Sequence, residues 1–340
     1  MFPEYQADLS EYYLKWPTED ELDAYSEAQQ PALADPLEKG VLLEWSGPSL
    51  HLDSLPPVDY PLNDTPEPTP NPPRPLLQPL LAANSPLHGG EGWSLRLIEA
   101  LQEGEEEWSQ VWRCEVLCVG EAVGTVVLKL RQQSLFPPPQ EIDSSPEYDF
   151  FNWWPASHLI KREALAYNRL RPYQGRDIPL CYGFYTFTTP CGEITVGVVL
   201  EDLADSTIAL DEYIDREGRG KRLTTSSVKR FAVAAFSLQN RLQSRGILAS
   251  PSRLHHFLAL RFTLNNSTPI LIAHGFGTSR PVEIALGNRK KADDNDRAEG
   301  REPLAWDFRD RDQRLLNGAF REELAGFDVK EHCSELEFLV

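Results

Sequence analysis

The sequence predicts an α+β chain: a small antiparallel β region carrying one helix, then a shortened, mainly helical region, behind a disordered acidic and proline-rich N-terminal tail. Three observations predict it. Strand-like runs at 124–130, 178–185 and 192–200 surround one helical segment, Lys161–Leu170. Residues 226–244 carry the clearest helical pattern in the chain. Residues 1–70 hold fifteen acidic residues against Lys15 and Lys39, so this segment carries −13 of the formal net charge of −19. The expected division is a tail over 1–92, a β region with its connector over 93–203 and a helical region over 204–340.

The tail comes first. Ten of residues 56–79 are Pro; proline fixes φ and removes a donor, so this stretch reads as extended and solvated. It suits a linker, or a proline-rich ligand for an aromatic-grooved domain. Ahead of it, Tyr5, Leu9, Tyr12, Tyr13 and Trp16 recur at near-helical spacing among acidic residues. Three readings stand for that segment: a helix docking on its own domain, a helix docking on a partner, or disorder. A field of this sign repels nucleic acid and anionic membrane, which makes both poor partners.

Class follows from the rest of the composition. There is no apolar run of about 18 residues, so no membrane span is expected. Phe2–Tyr13 is acidic and polar, unlike a secretory signal. Cys114, Cys118, Cys181, Cys191 and Cys333 are odd in number and lack zinc or redox spacing. They read as reduced thiols of an intracellular protein, cytoplasmic or nuclear.

The β region is expected to start near Trp93, with Trp93–Gln102 either a strand or a short helix. Glu103–Trp112 holds one Gly and four Glu, and Glu105–Glu107 suits an exposed hairpin tip. Gly124–Leu130 alternates as a strand carrying Lys129. Residues 131–149, with Phe136–Pro139 and Ser144–Pro146, read as a loop insertion. Phe150–Trp154 leads into a helix with an apolar stripe at Ala164, Tyr167 and Leu170, and its aromatics are expected to pack that helix on the sheet. Ile178–Tyr185 and Gly192–Leu200 read as the next strands.

A short helix is expected over Thr207–Ile214. The long helix places Val228, Phe231, Ala232, Ala235, Leu238 and Leu242 at three-four spacing, with Gly246 as its stop. Beyond it, Asn288–Glu302 is a charged loop, Trp306–Leu324 suits short helices, and Cys333–Val340 is an apolar tail.

Two stretches of the helical region carry a resemblance. Arg245–Leu258 resembles a kinase catalytic loop: a helix ends in a Gly turn and leads through a loop to an apolar strand. Pro269–Gly277 resembles the strand and Gly turn that carry a metal-binding Asp. The order strand-Lys, helix-Glu, two strands, hinge, helix, loop and strand-Gly is similar to the fungal protein-kinase-like proteins. That likeness implies a two-lobe fold with a small antiparallel β lobe and a shortened, mainly α large lobe. It puts Lys129 and Glu163 where the phosphate-contacting Lys and its partner are expected, and Glu201, Asp202 and Leu203 at the hinge.

The same likeness puts Pro251 at the catalytic Asp, His256 at the magnesium-binding Asn and Ala273 at the second metal ligand. None of these can do the work of the residue it replaces, so no catalytic residue and no metal site are expected. Carboxylates at 103 and 105–107 also disfavour a triphosphate, since like unit charges about 4 Å apart repel by about 1 kcal/mol even in water.

The resemblance therefore implies a pseudokinase: a binding or regulatory module with no cofactor beyond weakly held ATP, acting on a protein partner. The alternative is a divergent active kinase using displaced acids such as Asp202 or Asp293–Asp296. The Lys129–Glu163 pair would be structural in the first case, or a remnant of nucleotide binding. His255, His256 and His274 could be imagined as a metal cluster, but no fourth ligand stands at recognisable spacing. There is no Gly-x-Ser-x-Gly elbow for a hydrolase.

Overall fold

The computed structural model describes residues 19–45, 93–104, 107–137, 155–219, 225–248, 256–264, 269–276 and 280–281. The chain is α+β, built from antiparallel sheets and few helices. The described residues form two compact units. The first takes the residues up to Trp45, those from Trp93 to Leu165, and Leu180–Asp202; the second takes Ala166–Pro179 and the residues from Leu203 on.

The first unit is a six-stranded antiparallel sheet in the order β1-β2-β3-β4-β6-β5. Its strands are β1 (Leu42–Glu44), β2 (Trp93–Gln102), β3 (Gln110–Cys118), β4 (Glu121–Leu130), β5 (Cys181–Thr188) and β6 (Ile194–Glu201). Trp93–Gln102, readable as strand or helix, is a strand that buries Trp93, Leu95 and Leu97 by alternation. The sheet curls until its ends meet, because Trp45, just past β1, makes an antiparallel bridge with Phe187 on β5. Register shifts at Leu97/Glu99, Ala100/Gln102, Val116/Leu117 and Cys181/Gly183 mark where the strands bend.

Inside the curl lies an apolar core that includes Leu43, Leu95, Trp112, Val116, Leu128, Leu130 and Val199. Trp93 meets Tyr185 edge-on with ring centroids 4.9 Å apart. Gly197 belongs here for lack of room: a Cβ would stand 2.7 Å from Leu128 Cδ1 and 2.9 Å from Leu130 Cδ2. Cys114 is buried in this core, and burial pushes its thiol up. The four described cysteines are free thiols.

The expectation of a largely disordered tail through residue 92 does not hold for residues 19–45. Helix α1 (Glu19–Ala34) buries Tyr25 and Ala32, Leu37 and Leu43 join the core, and β1 pairs with β2. Average charge hid a few well-spaced apolar residues. The aromatic segment 5–16, the proline-rich stretch and the loop aromatics 150–154 lie outside the described residues.

Helix α2 (Ala156–Arg169) follows the first unit's β4 in sequence, with Ala164, Tyr167 and Leu170 buried as the stripe predicts. A 3₁₀ turn, Gln133–Leu135, precedes it.

The second unit holds a three-stranded sheet in the order β10-β9-β7 and a two-stranded one pairing β8 with β11. Its strands are β7 (Thr207–Ala209), β8 (Ile247–Leu248), β9 (Phe257–Leu260), β10 (Leu271–Ala273) and β11 (Arg280–Pro281). The short helix expected over Thr207–Ile214 begins later. Thr207–Ala209 is strand, because β-branched Thr207 and Ile208 pair with Leu260 and Ala259, and α3 spans Leu210–Arg219. Helix α4 (Thr225–Ser244) buries Phe231, Ala232, Ala235, Leu238 and Leu242, and stops two residues before Gly246. The segments 288–302, 306–324 and 333–340 lie outside the described residues. No described helix is long and apolar enough to cross a membrane.

Candidate functional site

Strand alternation puts Lys129 on the sheet face opposite Leu128 and Leu130. There it meets α2: Lys129 Nζ donates to Glu163 Oε1 at 2.8 Å. The two residues singled out from the sequence are thus an ion pair, with the Lys129 side chain 12% exposed and Glu163 1%. Arg131, which the sequence reading passed over, completes the cluster. Its Nη2 donates to Glu163 Oε2 at 2.6 Å, and its Nη1 donates to the Trp108 carbonyl at 2.7 Å. The signal was available, since residues two apart on a strand share a face.

The electrostatics follow from two cations facing one carboxylate. Burial and the nearby Arg131 charge lower Lys129 to about 8, against the opposing pull of Glu163. Burial disfavours the Glu163 carboxylate, yet the Lys129 and Arg131 charges and their hydrogen bonds hold it below the usual range. Phe136 and Leu159 pack beside this cluster with Trp108 and Ala156. A groove of about 490 Å³ opens among α1, α2 and the start of β6, with Tyr25, Arg131, Ile160, Lys161, Ile194 and Val196 in its lining.

Glu201 and Asp202, expected at a hinge, are held by hydrogen bonds within the first unit. Glu201 Oε2 accepts from the Leu180 N–H at 3.0 Å, and the Glu201 N–H donates to the Leu180 carbonyl at 2.9 Å. Asp202 Oδ2 accepts from Arg113 Nε and from Thr125 Oγ1, each at 2.7 Å, with its side chain 1% exposed. Burial, then the Glu201 and Asp202 charges, push the Tyr182 phenol up.

In the second unit, Leu203 packs with Leu260 and Ile272. Ala273 is buried at the end of β10 opposite Phe257, and its N–H donates to the Asp177 carbonyl at 2.8 Å. His256 and His274 flank this hairpin with ring centroids 6.1 Å apart, and the His274 N–H donates to the His256 carbonyl at 3.1 Å. Gly275, at φ +83°, lets the chain turn against the imidazole; a Cβ there would lie 3.1 Å from His256 Cδ2. Pro251 and His255 lie outside the described residues, as do Asp293–Asp296. Among the described residues no three His, Cys, Asp or Glu side chains gather as a metal site.

No protein-family model matches the chain, and no curated protein matches it.

Proposed function

We propose that the chain is a catalytically impaired kinase-like protein, a pseudokinase, serving as a binding or regulatory module for a protein partner and taking up ATP weakly at most. The observation that carries this reading is the buried ion pair between Lys129 of β4 and Glu163 of α2. A kinase needs this pair to hold its phosphate-contacting Lys in place.

The setting of the pair supports the reading. The sequence order that the resemblance rests on, a strand with a Lys, a helix with a Glu and two further strands, corresponds to β4 with Lys129, α2 with Glu163, and then β5 and β6. In the second unit, α4, β8, β9 and β10 follow one another in the chain, matching the order helix, loop and strand-Gly on which the resemblance rests.

The chemistry argues against phosphoryl transfer. That reaction needs a carboxylate for the hydroxyl proton and an Asp and Asn for magnesium. Pro251, His256 and Ala273 occupy the corresponding positions of the sequence. Asp202, one of the acids that could stand in, is taken up by Arg113 and Thr125.

Calorimetric titration of the full chain with ATP, with and without magnesium, beside Lys129→Ala, tests the proposal. No heat at millimolar nucleotide, or weak binding that needs Lys129 and not magnesium, fits a pseudokinase. Magnesium-dependent phosphate transfer abolished by Lys129→Ala would overturn it in favour of an active kinase.

A further inference from the structure

We propose that Arg131, rather than Lys129, is the residue that positions α2 on the sheet, so that α2 stays docked whatever Lys129 meets. The inference stands on the geometry of the first unit and does not require the pseudokinase reading.

Both cations reach Glu163, one oxygen each, but their situations differ. The Arg131 side chain is 4% exposed, and its two terminal nitrogens divide between Glu163 and the Trp108 carbonyl. Its guanidinium therefore ties together the chain leaving β4, the turn before β3 and α2. A planar, permanently charged fork suits that bridge, whereas an ammonium is a single point charge. Lys129 is the more exposed of the two, at 12%, and its bond to Glu163 makes no such bridge.

Charge balance points the same way. Two cations on one carboxylate leave an excess positive charge where the dielectric is low. Removing Lys129 leaves Arg131 and Glu163 as a neutral, hydrogen-bonded pair and ends the repulsion between the two cations. Removing Arg131 also leaves a neutral pair, but strips the half-buried Trp108 carbonyl of the Arg131 donor.

Neighbouring packing reinforces the Arg131 side. The Trp108 ring lies 5.3 Å from that of Phe136, and Phe136 packs with Leu159 of α2. The Phe136 carbonyl in turn accepts from Tyr25 Oη of α1 at 2.7 Å. The turn that Arg131 grips is thus the one on which the start of α2 rests.

Amide hydrogen exchange over Ala156–Leu165, measured on the full chain, tests the proposal. Lys129→Met is expected to speed exchange by no more than about twofold, and Arg131→Met by about tenfold or more. Arg131→Lys keeps the charge without the fork and is expected to recover less than half of the lost protection. In the parent, protection corrected for intrinsic rates should not fall between about pH 7 and about pH 9.5, where Lys129 has lost most of its charge. Loosening by Lys129→Met as large as by Arg131→Met, or protection lost on raising the pH, overturns it. So does an Arg131→Met chain with parental exchange. Should that variant fail to fold, the Lys129→Met and pH arms decide alone.

Discussion

Trp45 and Phe187 form the antiparallel bridge that joins the chain leaving β1 to β5, the opposite edge of the sheet. Closure of this kind covers edges that would otherwise present unpaired N–H and C=O groups. It also seals an interior filled by Trp93, Trp112 and Phe187. Residues 37–45 are therefore part of the first unit's core and not an appendage to it.

Deleting residues 1–45 should abolish cooperative unfolding of the first unit, read by urea titration of tryptophan fluorescence. Leu43→Ala, at a side chain 1% exposed, should cost about 2–5 kcal/mol. Leu42→Ala, its 48% exposed neighbour, should stay within about 0.5 kcal/mol. Equal small effects at both positions would mean that β1 contributes nothing to the core.

The β3–β4 hairpin carries a built-in strain. Cys118 pairs with Glu121, leaving Val119 and Gly120 as a two-residue turn at φ 52° and 85°. A β-branched residue is poorly suited to positive φ, whereas Asn-Gly is the favoured pair for such a turn. Val119 is 89% exposed, so its side chain contributes little packing. Val119→Asn should stabilise the chain by about 0.5–1 kcal/mol in chemical denaturation. A loss of stability would show that Val119 makes a contact worth more than the strain.

The Lys129 shift has a pH signature. Its folded value, about 8, lies below the ordinary value of 10.5, so between them the unfolded chain binds more protons than the folded one. Stability contributed by this group therefore rises with pH across that window, and below it the charged, buried amine is a fixed cost. Cys114, Tyr182 and Tyr185, raised mainly by burial, work in the opposite direction once their unfolded forms ionise. The clean comparison is parent against Lys129→Met: their stability difference should shift toward the parent as pH rises from about 7.5 to about 9.5. A flat difference would mean that Lys129 titrates normally in the folded chain.

Local features were legible because their period is local. The stripe Phe231, Ala232, Ala235, Leu238 and Leu242 marks a helix whatever surrounds it, and all five are buried on α4. Lys129 within an alternating strand and Glu163 within a helix could be matched because each sits in a recognisable element. Arg131 follows the last residue of β4 and keeps the side of Lys129, but its bond to Glu163 joins residues 32 apart, which no local spacing records. Thr207–Ala209 was misread because three residues are too few to establish a period, and pairing with β9 decided the matter.

By itself, then, the sequence determined the longer periodic elements, such as α4 and β4, and which of their side chains share a face, since both depend on spacings of two to four residues. Tertiary structure alone decided that Leu42–Glu44 join the sheet, that Trp45 meets Phe187, and that Glu163 is shared by Lys129 and Arg131. These contacts join residues far apart in the chain. Their stability comes from burying apolar surface and matching charges across the gap, and no local spacing records either.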